Sequence, residues 1–354
     1  MREPRPAGPS EFARIAAIVA ALPRGEGVVV GPGDDAAVVQ PGEGRDLVAT
    51  CDALIEGRHF RRDLVSPAEA GVRLAAANLS DLAAMAAIPR WALVSLAVPG
   101  GWSAADCEAL ERACAAALAA EGAAVVGGNL AATDGPLVAT LTLLGEVERG
   151  RAWTRAGARP GDALAVTGVP GSAAAFLSLA LWGIPPSRAR VPEPLVARFT
   201  SPPCRVRLAR ALAATGAVRA AVDVSDGLAA DLAHLCRASG TGARLEEALL
   251  PADEPLRAAA RALSAAAGQE RGPLPAAEGA LLTQLRLGPG DDYELLLAIE
   301  PETFARCAGI AAAAGVPLTR IGEATAGGAL ELRERAGGTR PLEPRGWDHF
   351  AAGA

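Results

Sequence analysis

From about Gly25 onward, short β-rich apolar runs alternate with longer alanine-rich stretches of helical period. "GVVVG", "AAVVQ" and "RDLVATCD" read as three strands. In "SPAEAGVRLAAANLSDLAAMAA", Ser66 caps a helix, Pro67 takes its first position and Glu69 completes a capping box. "WALVSLAVP" reads as a strand, "SAADCEALERACAAALAAEG" as a helix capped by Ser103 and closed by Gly122, and "GPLVATLTLLGEV" as a further strand, so a first unit ends near Val147. The charged, Gly- and Pro-bearing "ERGRAWTRAGARPGD" then reads as a linker into "ALAVTGVPG". Beyond it come apolar helices around 173–183 and 204–215, a strand "RAAVDVSD", a helix "GLAADLAHLCRASG" and a loop-rich stretch near 268–280. A strand "YELLLAI", a helix "PETFARCAGIAAAAG" and a tail ending "GWDHF" complete the pattern.

Strands alternate with helices in both halves, so the class is α/β or α+β. The expected division is an amino-terminal arm over 1–24, one domain over 25–149 and a second over 150–354. A chain of 354 residues can fill a substantial core in each. With 51% hydrophobic residues, 21% charged residues and a net charge of −6, the chain reads as globular, and nucleic acid is not an expected partner. The longest apolar run, "AAAFLSLALWGIP", is too short to span a bilayer, and "MREPRPAGPS" lacks the apolar stretch of a signal peptide. A cytoplasmic protein with no membrane association is therefore expected.

Six cysteines without a C-x-x-C pair argue against zinc and disulfide frameworks, and three histidines leave little for a histidine triad. All 34 basic residues are arginine. A Walker A lysine, a kinase strand lysine and a pyridoxal Schiff base are thereby excluded. Nucleotide phosphates would have to be handled by metals, backbone amides and arginine.

The aspartates carry the chemistry that remains. Asp34 lies in a "GPGDD" turn that returns at 288–292, and Asp52 ends a strand. Asp81 shares a helix face with Asn78 inside otherwise apolar text, where a carboxylate needs a partner or a metal. Asp223 and Asp226 bracket Ser225 at a strand-to-helix junction, where backbone amides can meet an anion. Carboxylates at several strand ends suit magnesium. Each motif also has a purely structural reading as turn chemistry or a helix cap. Asn129, after two glycines that let a ligand approach the backbone, is balanced between a binding residue and a simple turn.

"GPGDDAAVV", "TCDALIEGRHF", "NLSDLAAMAA", "VVGGN", "TRAGARPGDALAVTG", "DVSDGLAADLAHLCRASGTGARLEEALLP", "GPGDDYELLLAI", "RIGEAT" and "GWDHF" follow one another in the order found in thiamine-monophosphate kinases. The chain resembles that family from about Gly31 to Phe350. The resemblance implies a two-domain aminoimidazole ribonucleotide synthetase-like fold whose amino-terminal sheet pairs with that of a second subunit into a barrel-like dimer core. It implies a reaction of ATP with thiamine monophosphate, giving ADP and thiamine diphosphate, with several magnesium ions. Asp34, Thr50, Cys51, Asp52, Asp81, Asp223 and Asp226 fall at the family's metal positions, with Asn129 where aspartate is usual and Cys51 where threonine or serine is usual. Gly128, Asn129, Arg155 and Ser225 fall at ATP contacts, and His59, Asp291 and Trp347 at the thiamine end. Asp223, Asp226 and Arg155 would carry the chemistry. The alternatives are another enzyme of that superfamily, of the aminoimidazole ribonucleotide synthetase kind, and a non-catalytic nucleotide- or magnesium-binding paralogue.

Overall fold

The computed structural model describes residues 28–30, 37–184, 188, 191–267, 277–347 and 350. The first sheet comprises β1 (Val28–Val30), β2 (Ala37–Gly42), β3 (Arg45–Ile55), β4 (Ile88–Pro99), β5 (Ala124–Thr133) and β6 (Val138–Glu148), in the spatial order β1-β2-β3-β6-β4-β5. Its neighbours are antiparallel except β4 and β5. That parallel pair needs a crossover, which α2 (Ala104–Ala120) supplies. Ser103 and Asp106 cap α2 reciprocally, with amide-to-side-chain bonds of 3.0 and 3.1 Å.

Helix α1 (Pro67–Ala84) has the expected Ser66/Glu69 capping box, and it is apolar or small on nearly every side. A helix of that kind must be buried all round. It packs against α2 and the first sheet on one side, and against elements of the second half on the other. Gly71 permits a close approach to α2, since a Cβ there would lie 2.0 Å from the Leu110 carbonyl oxygen.

The second half contains β7 (Ala163–Thr167), α3 (Ser172–Leu181), α4 (Glu193–Thr200), α5 (Val206–Ala213), β8 (Val218–Val224), α6 (Leu228–Ser239) and β9 (Gly242–Glu246). These are followed by α7 (Glu254–Ala267), α8 (Glu278–Leu287), β10 (Glu294–Ile299), α9 (Phe304–Ala313), β11 (Leu318–Thr325), β12 (Leu330–Arg333) and β13 (Thr339–Pro341). The strands form a second sheet in the order β13-β12-β9-β11-β7-β10-β8, antiparallel except for β12 with β9. Both sheets are thus mostly antiparallel, and the fold is mixed α and β with two open sheets.

Buried side chains do not divide at the linker. One cluster joins Val48, Leu79 and Leu141 of the first half to Phe176, Leu212, Leu295 and Leu297 of the second. Leu296 and Ala298 point the other way along β10, into a second cluster with Val222 and Leu232. Cores therefore separate by the faces of the second sheet, not one per half as the length suggested. The expected linker is also docked: Trp153 is buried, its N–H meets the Met85 carbonyl at 3.2 Å, and the Thr154 carbonyl accepts from Ala221.

The sequence reading missed α4, α7, α8, β9 and β11–β13, and it left Asn129 balanced between a simple turn and a binding residue. Asn129 instead lies in the middle of β5, opposite Ser95. The first GPGDD turn, with Asp34, lies outside the described residues.

Because α1 and α2 meet backbone to backbone at Gly71, Gly71→Ala is expected to cost roughly 2–3 kcal/mol of stability, measured by denaturant unfolding.

Candidate active site

Strand β3 brings Thr50 and Asp52 to the face that looks at α1, where their cross-strand partners Leu143 and Leu141 are fully buried. Cys51 alternates to the other face and accepts a hydrogen bond from the Thr142 hydroxyl at 3.5 Å. Its thiol therefore does not join Thr50 and Asp52, so any ligand it offers on their side is its backbone carbonyl. Thr50 Oγ1 donates to Asp81 Oδ2. The half-buried Asp81 thus has the partner that its apolar context demanded. Asn78, fully buried, turns its amide back onto the Leu74 carbonyl at 3.0 Å.

One residue before Asp81, the Ser80 hydroxyl donates to Asp223 Oδ2 at 2.8 Å. This bond joins a helix of the first half to β8 of the second. At the end of β8, the amides of Ser225 and Gly227 both donate to Asp231 Oδ2, at 3.2 and 3.1 Å. Two of the amides at this junction, where an anion could bind, are thus taken by the 3% exposed Asp231 of α6. Asp226 keeps its carboxylate half-buried, while its carbonyl accepts from the Trp347 N–H at 3.0 Å. Gly346 lies so close that a Cβ there would meet Ala230 at 2.5 Å and the Asp226 carbonyl at 3.1 Å.

The second GPGDD loop divides its two aspartates between different tasks. Asp292 points inward and accepts from Gly171 N–H at 2.8 Å and Ala173 N–H at 3.4 Å, capping α3. Burial, followed by the charges of Glu294 and Asp291, pushes its carboxyl up to about 7 against those two hydrogen bonds. Asp291 points to the site and pairs with Arg73 of α1 at 2.6 Å. The same guanidinium reaches the His59 carbonyl at 3.4 Å, and His59 Nδ1 accepts from the Ile55 amide at 2.9 Å. Next in the loop, Tyr293 holds a left-handed backbone (φ 51) and donates its N–H to the Val224 carbonyl at 2.8 Å. Burial first, and then the Asp291 charge, raise its phenol well above the usual range; Asp52 and Asp223 add to this while Arg73 opposes it. Asp52, Asp223, Asp291 and Arg73 are therefore all near one buried phenol.

The loops themselves touch. Gly227 (φ +124) has no room for a side chain, because a Cβ would lie 2.4 Å from the Gly288 carbonyl oxygen. The DVSDG and GPGDD motifs are in backbone contact across the site.

Gly128 and Asn129 stand apart from this cluster. Pairing runs Asp52–Leu141–Val94–Gly128 across the sheet. Three strand spacings therefore separate Gly128 from Asp52, about 14 Å. A Cβ at Gly128 would lie 1.9 Å from the Val94 carbonyl oxygen. A cavity of about 570 Å³ between β5 and α2 is lined by Glu108, Glu111, Arg112, Gly128, Asn129 and Leu130. Arg155 lies against α6, its carbonyl accepting from the Ser239 hydroxyl at 2.9 Å. Burial first, then the charges of Arg155 and Arg237, lower the neighbouring His234 to about 4.

Among the described residues, no three His, Cys, Asp or Glu side chains close around a single ion position. The donors near Asp81 are nonetheless hydroxyl and carboxylate oxygens. Magnesium keeps several waters and takes one or two carboxylates, so this donor set fits it without a ready-made cage.

Residues 33–147 match the family model for the AIR synthase related protein N-terminal domain, and residues 159–334 match the C-terminal domain. A thiamine-monophosphate kinase of Escherichia coli is 36% identical over 330 residues, which covers 92% of this chain and 93% of that protein. The chain belongs to the thiamine-monophosphate kinase family. The Caulobacter vibrioides member is 35% identical over 98% of this chain and 92% of its own length. Among solved structures, the thiamine-monophosphate kinase of Stenotrophomonas maltophilia aligns with a TM-score of 0.71 at 33% identity, covering 90% of this chain and 94% of that one. A structure described as AaThiL complexed with AMPPCP and TMP aligns with a TM-score of 0.79 at 28% identity, over 96% and 97%.

Within this family site, sequence reasoning missed Arg73, Ser80, Asp231 and Tyr293. Arg73 had a usable signal, the one that exposed Asp81: a charge inside an apolar helix. Asp231 had none, because an aspartate in a first helical turn is ordinary.

Asp292 supplies a pH test. Its folded value of about 7 lies above the ordinary 3.8. Its contribution to stability is therefore full below about pH 4 and is lost as pH rises to about 7. Asp292→Asn is expected to remove a downward slope of at most about 1.4 kcal/mol per pH unit, read as the difference between wild-type and variant unfolding free energies over that range.

Proposed function

We propose that this chain transfers the terminal phosphoryl group of ATP directly to thiamine monophosphate, giving ADP and thiamine diphosphate. The observation that carries the reading is the meeting of Asp52, Asp81, Asp223 and Asp291 around α1 in a chain of this family. Thr50, the Cys51 carbonyl, Asp52, Asp81, Asp223 and Asp226 would hold magnesium, with Asp34 and Asn129 as further ligands. When bound, the metal supplies charge neutralisation and orientation for the polyphosphate.

The chain's own residues do the rest by placement. The attacking atom is a phosphate oxygen of thiamine monophosphate, already anionic at neutral pH, so no strong general base is needed. A bond forms from that oxygen to the terminal phosphorus of ATP as the bridging bond to ADP breaks. Arg155 provides positive charge toward the phosphates in a protein without lysine. Ser225, Gly128 and Asn129 contact ATP, and the cavity between β5 and α2 suits its nucleoside end. Thiamine monophosphate lies toward His59, Asp291 and Trp347. The exposed indole of Trp347 offers a face to the cationic thiazolium ring.

The active form we propose is a cytoplasmic homodimer whose amino-terminal sheets pair into a barrel-like core. The support is β5, which ends the first sheet and is exposed on both faces, with Val126 at 59% and Leu130 at 66%. Trp91 and Leu93 of β4 add exposed apolar surface beside it. A long bare edge of this kind is a liability unless covered. Among the described residues no helix is long and apolar enough to cross a membrane. We place the domain division at 25–149 and 150–354, preceded by an arm over 1–24.

In a coupled assay, ADP is expected to form only when ATP, thiamine monophosphate and magnesium are all present; ATP binding without turnover would overturn the proposal. Asp226→Asn should lower kcat on the order of 100-fold or more with the dimer mass unchanged. Trp347→Ala should raise the KM for thiamine monophosphate about tenfold and leave that for ATP alone; a change confined to ATP would contradict its placement.

A further inference from the structure

We propose that Arg73 is a positioning residue for the phosphate-acceptor end of the site, fixing where Asp291 and the His59 turn stand relative to the metal end. This rests on reading Asp291 and His59 as residues that hold thiamine monophosphate. Arg73 is 1% exposed, whereas the carboxylate it holds is 34% exposed. Asp291 is thus anchored without being covered, as a group that must still meet a ligand requires.

The guanidinium joins segments that are far apart in sequence. Nη2 donates to Asp291 Oδ2 at 2.6 Å and to the His59 carbonyl at 3.4 Å. Nη1 donates to the Phe199 carbonyl, within the last turn of α4, where the negative end of the helix dipole favours a cation. The Phe199 ring lies 4.0 Å from the guanidinium carbon. A planar fork serves these directions together, and a lysine ammonium on a flexible stem does not.

Helix α1 makes this anchor a measure of distance. Arg73 precedes Ser80 by seven residues and Asp81 by eight, so their Cα atoms lie about 10–12 Å apart along the axis. Seven residues is close to two full turns, which puts Arg73 and Ser80 on one face. Ser80 holds Asp223 from that face and Arg73 holds Asp291. One rigid helix therefore spaces the carboxylate at the acceptor end from the carboxylates at the metal end.

The test compares Arg73→Lys with Asp291→Asn and with the double variant, measuring the KM for each substrate, kcat, and thiamine monophosphate binding by calorimetry on folded protein. Arg73→Lys is expected to raise the KM and the Kd for thiamine monophosphate about tenfold, with the KM for ATP changed by less than about twofold. The double variant should be little worse than Asp291→Asn alone, because both act through one contact. Phe199→Leu removes the ring beneath the guanidinium but leaves its charge paired. It should give the same split at about threefold, and it replaces Arg73→Lys if that variant does not fold. If Asp291→Asn raises the KM for thiamine monophosphate while Arg73→Lys and Phe199→Leu do not, the positioning role is wrong. Equal shifts for both substrates would mean that Arg73 is merely structural, and would also overturn it. If Asp291→Asn itself leaves thiamine monophosphate binding unchanged, the assignment of Asp291 to the substrate is what fails.

Discussion

Helix α1 carries Arg73, Asn78, Ser80 and Asp81 into the interior, and each must find a polar partner there. Asn78 donates its amide to a carbonyl of its own helix, and its side-chain oxygen stays without a hydrogen bond. The others have partners from both halves of the chain: Thr50 from the first sheet, Asp223 from the second, Asp291 and the Phe199 carbonyl from loops and helix ends of the second half. Satisfying these groups draws the two sheets together around one helix. The site forms at their meeting because a buried cation and a buried hydroxyl leave few other arrangements.

Around this helix, similar local chemistry is turned to different ends by burial. Asp291 and Asp292 are neighbours, yet one faces the site against an arginine and the other caps α3 from inside the protein. Asp226 and Asp231 differ in the same way. The first stays half-buried at the mouth of the site, and the second turns in to bind two amides of the same loop. The loop is stiffened from within, so its shape does not wait for a ligand.

Much of this was legible in the sequence where local chemistry decides structure. The Ser66/Glu69 box marked the start of α1, and the alternating apolar runs marked β3, β4 and β6. Asp81 announced its need for a partner through its apolar neighbours. What was not legible depends on partners distant in the chain. β9, β12 and β13 are short, β11 is interrupted by polar residues, and all four become strands through pairing rather than through pattern. Asn129 follows two glycines that suggest a turn, but β4 supplies a pairing edge that carries the strand through them. The resemblance put Cys51 at a metal position beside Asp52, and strand alternation separates their side chains onto opposite faces, which leaves the Cys51 carbonyl on the side of Asp52.

The contact between Gly227 and Gly288 has a consequence for how such a protein can diverge. Gly227 leaves room for the Gly288 carbonyl, so a side chain gained at position 227 must displace backbone in the loop that carries Asp291 and Asp292. Two segments some sixty residues apart are thereby bound to a shared fate: an insertion or a bulkier residue in one shifts the other. A side chain at position 227 therefore disturbs the facing loop as well as its own.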